Sequence, residues 1–224
     1  MVNMREKKFL RPSLIMLGII FLFLCSIFIA YIGFYNSVFR MSSKQVSNYL
    51  SHRVSPCETI DKCELFPGDI LVRKYMTKRI WFIDKPLRIF FTHSAFYLGD
   101  DKLFEVFGPE KNAENDVQIL ELSKSDWLQD DIKNFVIIRP KKYSWKLDGI
   151  KENLDFIAEG SNYRFGLPFW GPQKVTCADV IFEQLYNKKI VESKDIPELV
   201  TPDYLFWLAV NNPDDFEIVG FNVQ

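Results

Sequence analysis

Three residues of this chain have types and spacing suited to nucleophilic chemistry. They are Cys177 in "QKVTCADVIFEQLY", His93 in "FFTHSAFYLG" and Glu105 in "KLFEVFG". A cysteine attacks as its thiolate, which forms near neutral pH only where the surroundings favour it. An imidazole within reach supplies that help by taking the thiol proton, and a third polar group fixes the imidazole's orientation. So arranged, a thiol adds to an amide or ester carbonyl and leaves an acyl-enzyme for water to release. Each residue also has a plainer reading. Free cysteine is among the most buried residue types, so Cys177 could be a small core residue. Glu105 could be a solvated strand residue. The other histidine, His52, lies in a polar stretch and reads as solvated.

Local sequence places the three. Thr176 followed by Asp179 is a capping-box pattern with Asp in the place of Glu or Gln. It puts Cys177 in the first turn of a helix running to about Lys189. There the helix dipole and free N–H groups favour a thiolate. "THSAFYLGDDKLFEVFG" reads as a hairpin turning at Gly99-Asp100-Asp101, with His93 opening its first strand. A three-residue loop pairs Leu98 with Lys102, sets Ala95 opposite Glu105 and Phe107 opposite His93. His93 and Glu105 are then diagonal neighbours on one face. A two-residue turn would put them on opposite faces.

The remaining elements form the frame. Pro67-Gly68 marks a turn before a strand over Asp69–Tyr75. "KRIWFIDKPLRIFFTHS" is an apolar, Pro-broken cover for the core. "VQILEL" and "NFVIIRP" are strands joined through a short helix in "SKSDWLQ". A helix is expected over 146–159, another opening at Thr201-Pro202, and a last strand at "FEIVGF". Strands in the middle with helices mostly late predict an α+β fold, an antiparallel sheet with packed helices. The loop "GSNYRFGLPFWGPQ" lies just before the nucleophile. Its Tyr163, Phe165, Phe169 and Trp170 either line a substrate groove or pack on the sheet.

Ahead of the domain, Leu14 to Phe34 contains no charged residue. That is about the length needed to cross a membrane. No small-residue cleavage site follows it, so it reads as a retained transmembrane helix containing Cys25. The expected organisation is a cytoplasmic tail over 1–12, an anchor over 13–35, a connector over 36–64 and a catalytic domain over 65–224. The connector carries a short amphipathic helix around Val46 and Leu50. Arg5, Lys7, Lys8 and Arg11 precede the anchor, and Arg40 and Lys44 follow it. The positive-inside rule then puts the N-terminus in the cytoplasm and the domain on the exocytoplasmic, periplasmic side. In an oxidising compartment, Cys57 and Cys63 in "SPCETIDKCEL" could close a small loop as a disulfide; two unpaired thiols is the other reading.

A net charge of −1 and the lack of a basic aromatic stripe argue against a nucleic-acid partner. Two histidines far apart, with no close ligand pair, argue against zinc. No Gly-rich phosphate loop is present, and the thiol chemistry calls for no cofactor.

In this order, "FPGDILV", "THSAFYLGDDKLFEVFGP", "VIIRP", "TCADVIFEQLY" and "TPDYL" resemble the circularly permuted branch of the NlpC-like papain-fold superfamily, the YiiX-like group. The likeness runs from about Phe66 to Leu205. In that branch the His strand and the polar strand precede the Cys helix, as here. The resemblance implies a permuted papain-like fold, with Cys177 the nucleophile, His93 its base and Glu105 the residue orienting the imidazole. Two stretches depart from the family: its "CSE" is "CAD" here, with Ala178 and Asp179, and the Tyr-Asp stretch before the Cys helix reads Tyr163-Arg164. The family implies a thiol hydrolase acting on an amide bond, a peptidoglycan peptide foremost. A lipid-directed acyl hydrolase or acyltransferase using the same triad is the alternative, and a non-catalytic binding module or a structural membrane protein are readings from other classes.

Overall fold

The computed structural model describes residues 6–52, 57, 59–74, 89–106, 117–128, 134–141, 147–160, 176–192, 197 and 199–223. Most of the Pro-broken aromatic stretch, Phe107 and the loop carrying Tyr163, Phe165, Phe169 and Trp170 lie outside these residues. The chain divides into two compact units, Met1–Val38 and Phe39–Gln224.

The first unit is one helix, α1 (Glu6–Ser37). Its segment Ile15–Gly33 is long and apolar enough to cross a membrane. At 1.5 Å per residue it spans about 28 Å, close to a hydrocarbon core of about 30 Å. Large apolar side chains such as Phe21, Phe23 and Ile29 are exposed along it, and Cys25 within it is unpaired.

The second unit is α+β. Six strands form one antiparallel sheet: β1 (Ile70–Arg73), β2 (His93–Gly99), β3 (Lys102–Val106), β4 (Val117–Glu121), β5 (Phe135–Pro140) and β6 (Phe216–Asn222). Their order across the sheet is β4-β3-β2-β1-β5-β6. Four helices accompany it among the described residues: α2 (Ser43–Leu50), α3 (Leu147–Gly160), α4 (Cys177–Asn187) and α5 (Pro202–Asn211). Between β4 and β5 the expected short helix is two 3₁₀ turns, Leu122–Lys124 and Asp126–Leu128.

Because side chains alternate along a strand, each strand feeds two cores. Ile70, Val72, Phe96, Phe104, Val136 and Ile138 pack with Ala178, Ile181 and Leu185 of α4 and with Leu205 and Phe206 of α5. Leu71, Ala95, Leu103, Phe135 and Ile137 face the other way, onto Ile60, Leu122 and Trp127.

The compact unit begins at Phe39, so most of the stretch read as a connector belongs to the fold. Ser42 and Gln45 form a capping box for α2, which drives Val46 and Leu50 into the helix-side core. Eight residues alone make a marginal helix; burial of that face is what holds it.

The hairpin corrects the expected loop. Gly99, not Leu98, pairs with Lys102, and the turn is the two residues Asp100 and Asp101, both left-handed (φ 51° and 60°). A bulge between Tyr97 and Gly99 makes Leu98 the extra residue. It shifts the register back by one, so Ala95 still stands opposite Glu105. Gly99 itself has φ 88°, and a Cβ there would meet Pro67 Cγ at 2.7 Å.

Cys57 and Cys63 are joined by a disulfide, with Cα atoms 5.5 Å apart. It lies on Gly220 of β6: a Cβ at that position would overlap Cys57 Sγ and come within 2.9 Å of Cys63 Sγ. Gly220→Ala is therefore expected to cost about 1–3 kcal/mol by overpacking. The cost should shrink once Cys57 and Cys63 are both alanine, read by denaturant unfolding of the four proteins. An equal cost in both backgrounds would mean that the disulfide is not what the new methyl group meets.

Candidate active site

The first strand pair places the histidine. His93 is the opening residue of β2 and pairs with Arg73, the closing residue of β1. It is only 7% exposed. Because Ala95 faces Glu105, the Glu105 side chain rises on the same face of the sheet, one diagonal step from His93. His93 Nε2 stands 3.5 Å from Glu105 Oε1, an ion-pair approach longer than an ordinary N–H···O bond. Glu105 is 1% exposed, and neither of its carboxylate oxygens has a hydrogen-bond partner among the described residues.

The helix places the thiol. Thr176 is the N-cap of α4, and Cys177 is its first helical residue. Asp179 N–H donates to Thr176 Oγ1 (3.1 Å), while Thr176 N–H and Oγ1 both donate to Asp179 Oδ2 (3.3 and 2.8 Å). The other carboxylate oxygen, Oδ1, accepts the Val200 N–H at 3.2 Å. The Asp of "CAD" thus closes the capping box and ties the helix that carries Cys177 to the approach to α5. Burial raises the Asp179 carboxyl above its ordinary range, against the bonds from Thr176 and Val200.

α4 packs on β2. The Cys177 thiol is half-buried and lies close enough to the His93 imidazole for each to shift the other's titration. Burial by itself would push the thiol up. His93, joined by the hydroxyl and main chain of Ser94, outweighs it and holds the thiol below its ordinary range. Burial by itself would push the imidazole down. Cys177 first and then Glu105 outweigh it and hold His93 above its ordinary range. The two shifts have opposite signs, which widens the pH interval in which thiolate and imidazolium coexist. The geometry therefore supplies a nucleophile and a proton carrier.

Residues not singled out in the sequence complete the surroundings. Trp127, on the second 3₁₀ turn, stacks on His93 with ring centroids 5.6 Å apart and planes at 30°. The Arg73 guanidinium lies 4.1 Å from the centre of the same indole, and its Nη1 donates to Asp126 O at 2.8 Å. Trp127 thus covers the His93–Glu105 face. The only hint in the sequence was a large aromatic in a short polar linker between two strands. Ser94 follows His93 in the chain, and its side chain lies on the other, helix-side face of the strand, where it joins His93 in lowering the Cys177 thiol.

Of the residues read from the sequence, Cys177, His93 and Glu105 come together. His52 is exposed. Tyr163, Phe165 and Trp170 lie outside the described residues. Cys57 and Cys63 pair with one another. Among the described residues no three His, Cys, Asp or Glu side chains converge as metal ligands. A pocket of about 330 Å³ lined by Phe66, Phe96, Arg139, Ile150, Leu185 and Ile190 involves none of the three candidate catalytic residues. Arg139 there is bound by Asp69 (Nε to Oδ1, 2.8 Å), which holds it above its ordinary range.

No family model matches the chain, and no curated protein or solved structure matches it.

Glu105→Gln keeps the shape of the pair and removes the charge. The expected result is a lower His93 titration midpoint, followed by NMR of the two imidazoles with His52→Ala assigning the signals. An unchanged midpoint would remove Glu105 from the site.

Proposed function

We propose that this chain is a membrane-anchored thiol hydrolase of the permuted NlpC-like papain-fold type, working through Cys177, His93 and Glu105. The observation that carries the reading is the thiol at a helix N-terminus beside a buried histidine that is backed by a buried carboxylate. Burial and pairing that shift two titrating groups in opposite directions are common at catalytic sites.

In the proposed reaction the Cys177 thiolate adds to an amide carbonyl. His93 holds the proton taken from sulfur. That proton passes to the leaving amine as the tetrahedral adduct collapses to a thioester. His93 then takes a proton from water, which attacks the thioester and frees the acid, and Cys177 regains its proton. N–H groups of the first turn of α4 point at the developing oxyanion and supply part of its stabilisation.

The apolar segment Ile15–Gly33 supports a membrane anchor. The basic residues before it support a cytoplasmic N-terminus, with the catalytic unit on the exocytoplasmic side. The Cys57–Cys63 disulfide fits an oxidising compartment. A peptide amide of peptidoglycan is the substrate class favoured there. An acyl ester of a lipid is the second class, favoured by the anchor itself, which keeps the unit near lipid.

The test uses the full chain in detergent micelles, offered wall-derived peptides and, separately, short acyl esters. Wild type is expected to cleave the peptide amide and to show a transient acyl adduct on Cys177 by intact mass. Cys177→Ala should lose at least about 10³-fold in turnover while its stability changes by less than about 1 kcal/mol. Ester cleavage alone would move the assignment to lipid. Turnover that survives in Cys177→Ala, or no turnover of either class, would replace the enzyme with a tethered binding module.

A further inference from the structure

Asp203, the second residue of α5, is fully buried and holds three main-chain N–H groups. Its Oδ2 accepts from Met41 (2.7 Å) and Phe90 (2.9 Å), and its Oδ1 accepts from Phe91 (2.6 Å). Phe90 and Phe91 are the residues that lead into β2, three and two positions before His93. Their rings pack edge to face at 4.8 Å, and Phe91 packs on Phe206 of α5 in the same manner. The next residue, Thr92, donates its N–H to Arg73 O at 2.9 Å, which starts the β1–β2 ladder. The N-cap Thr201 binds the other end of the arrangement, its Oγ1 donating to Phe39 O at 3.0 Å.

We propose that Asp203 is a positioning residue: through the N–H groups of Phe90 and Phe91 it fixes where β2 begins, and so holds His93 against Cys177 and Glu105. The inference rests on the reading of Cys177 and His93 as a working pair. The same carboxylate binds Met41, so residues 39–41, the first of the compact unit, share one clamp with the entry to the histidine strand.

A three-donor site suits a carboxylate and not an amide. Asn at 203 presents its Nδ2 to one of the N–H groups, so at least one bond is lost and a donor is left buried without an acceptor. Burial raises the Asp203 carboxyl to about 6, against the pull of Phe91, Phe90 and Met41, so at pH 7 the three donors face a carboxylate.

The experiment follows alkylation of Cys177 at pH 7 in the full chain in detergent, with labelling mapped to each cysteine. Asp203→Asn is compared with wild type, with His93→Ala and with the double variant. A thiol released to an ordinary pKa of about 8.5 is only about one-thirtieth thiolate at pH 7. Asp203→Asn is therefore expected to slow labelling by between about threefold and thirtyfold, and to add nothing in the His93→Ala background. Asp69→Asn is the control. Asp69 is also buried and binds the Phe66 N–H and Arg139, but at the opposite end of β1. It should lower stability without slowing labelling. Should Asp203→Asn not fold, Asp203→Glu takes its place, and failure of both to fold would make the carboxylate purely structural and overturn the proposal. A folded Asp203→Asn that labels like wild type, or that slows labelling equally without His93, would also overturn it. Slow labelling of the wild type itself would instead defeat the underlying reading of the site.

Discussion

A buried carboxylate beside a buried imidazole is the constraint on which the rest of this domain turns. Removing a charge from water costs several kcal/mol unless a partner compensates. Glu105 has His93 as its neighbour and no hydrogen-bond donor of its own among the described residues. The arrangement is therefore most favourable when His93 carries its second proton, and that proton in turn favours the Cys177 thiolate. One desolvated pair thus sets the charge state of the third group. Trp127 serves the same end by covering the imidazole, and the Arg73 guanidinium lies over the same indole.

Holding the pair requires agreement among elements that are distant in sequence. The β1–β2 ladder fixes the height of His93, and the β2–β3 ladder fixes the height of Glu105. The capping box of α4 fixes the thiol. Two carboxylates at helix starts join these pieces: Asp179 links α4 to Val200, and Asp203 links α5 to Phe90, Phe91 and Met41. Both use main-chain N–H groups of other segments, so each of the two helices is stitched to the chain that flanks the site. The face of the sheet that carries His93 and Glu105 has its own small core, closed off by the Cys57–Cys63 loop and Ile60.

How much of this was legible from sequence depended on how local the cause was. The caps at Thr176 and Thr201 and the existence of the hairpin are decided within a few residues, and the sequence shows them; the turn itself is one residue shorter than expected. Cys177 and His93 could be named because each opens such an element, and Glu105 because it lies on the other arm of the hairpin. The register of the hairpin was reached by the wrong route. A three-residue loop and a two-residue turn with a bulge give the same facing of Ala95 and Glu105, and sequence pattern alone does not distinguish them. The packing of residues 39–50 into the fold was not legible, because a short amphipathic helix reads alike whether or not a core awaits it. Trp127 and Asp203 were missed for a similar reason. Their partners lie 34 residues or more away in the chain, and no local pattern reports such contacts.

The measurement that tests the central claim most directly is the pH dependence of Cys177 alkylation in the full chain, with His93→Ala alongside and every labelled cysteine mapped. A thiolate held by His93 should be half-formed well below the free-thiol value of about 8.5, and replacing His93 should move that midpoint upward. Cys177 that stays inert in the folded protein, or that titrates as an ordinary thiol whichever residue occupies position 93, would contradict the account.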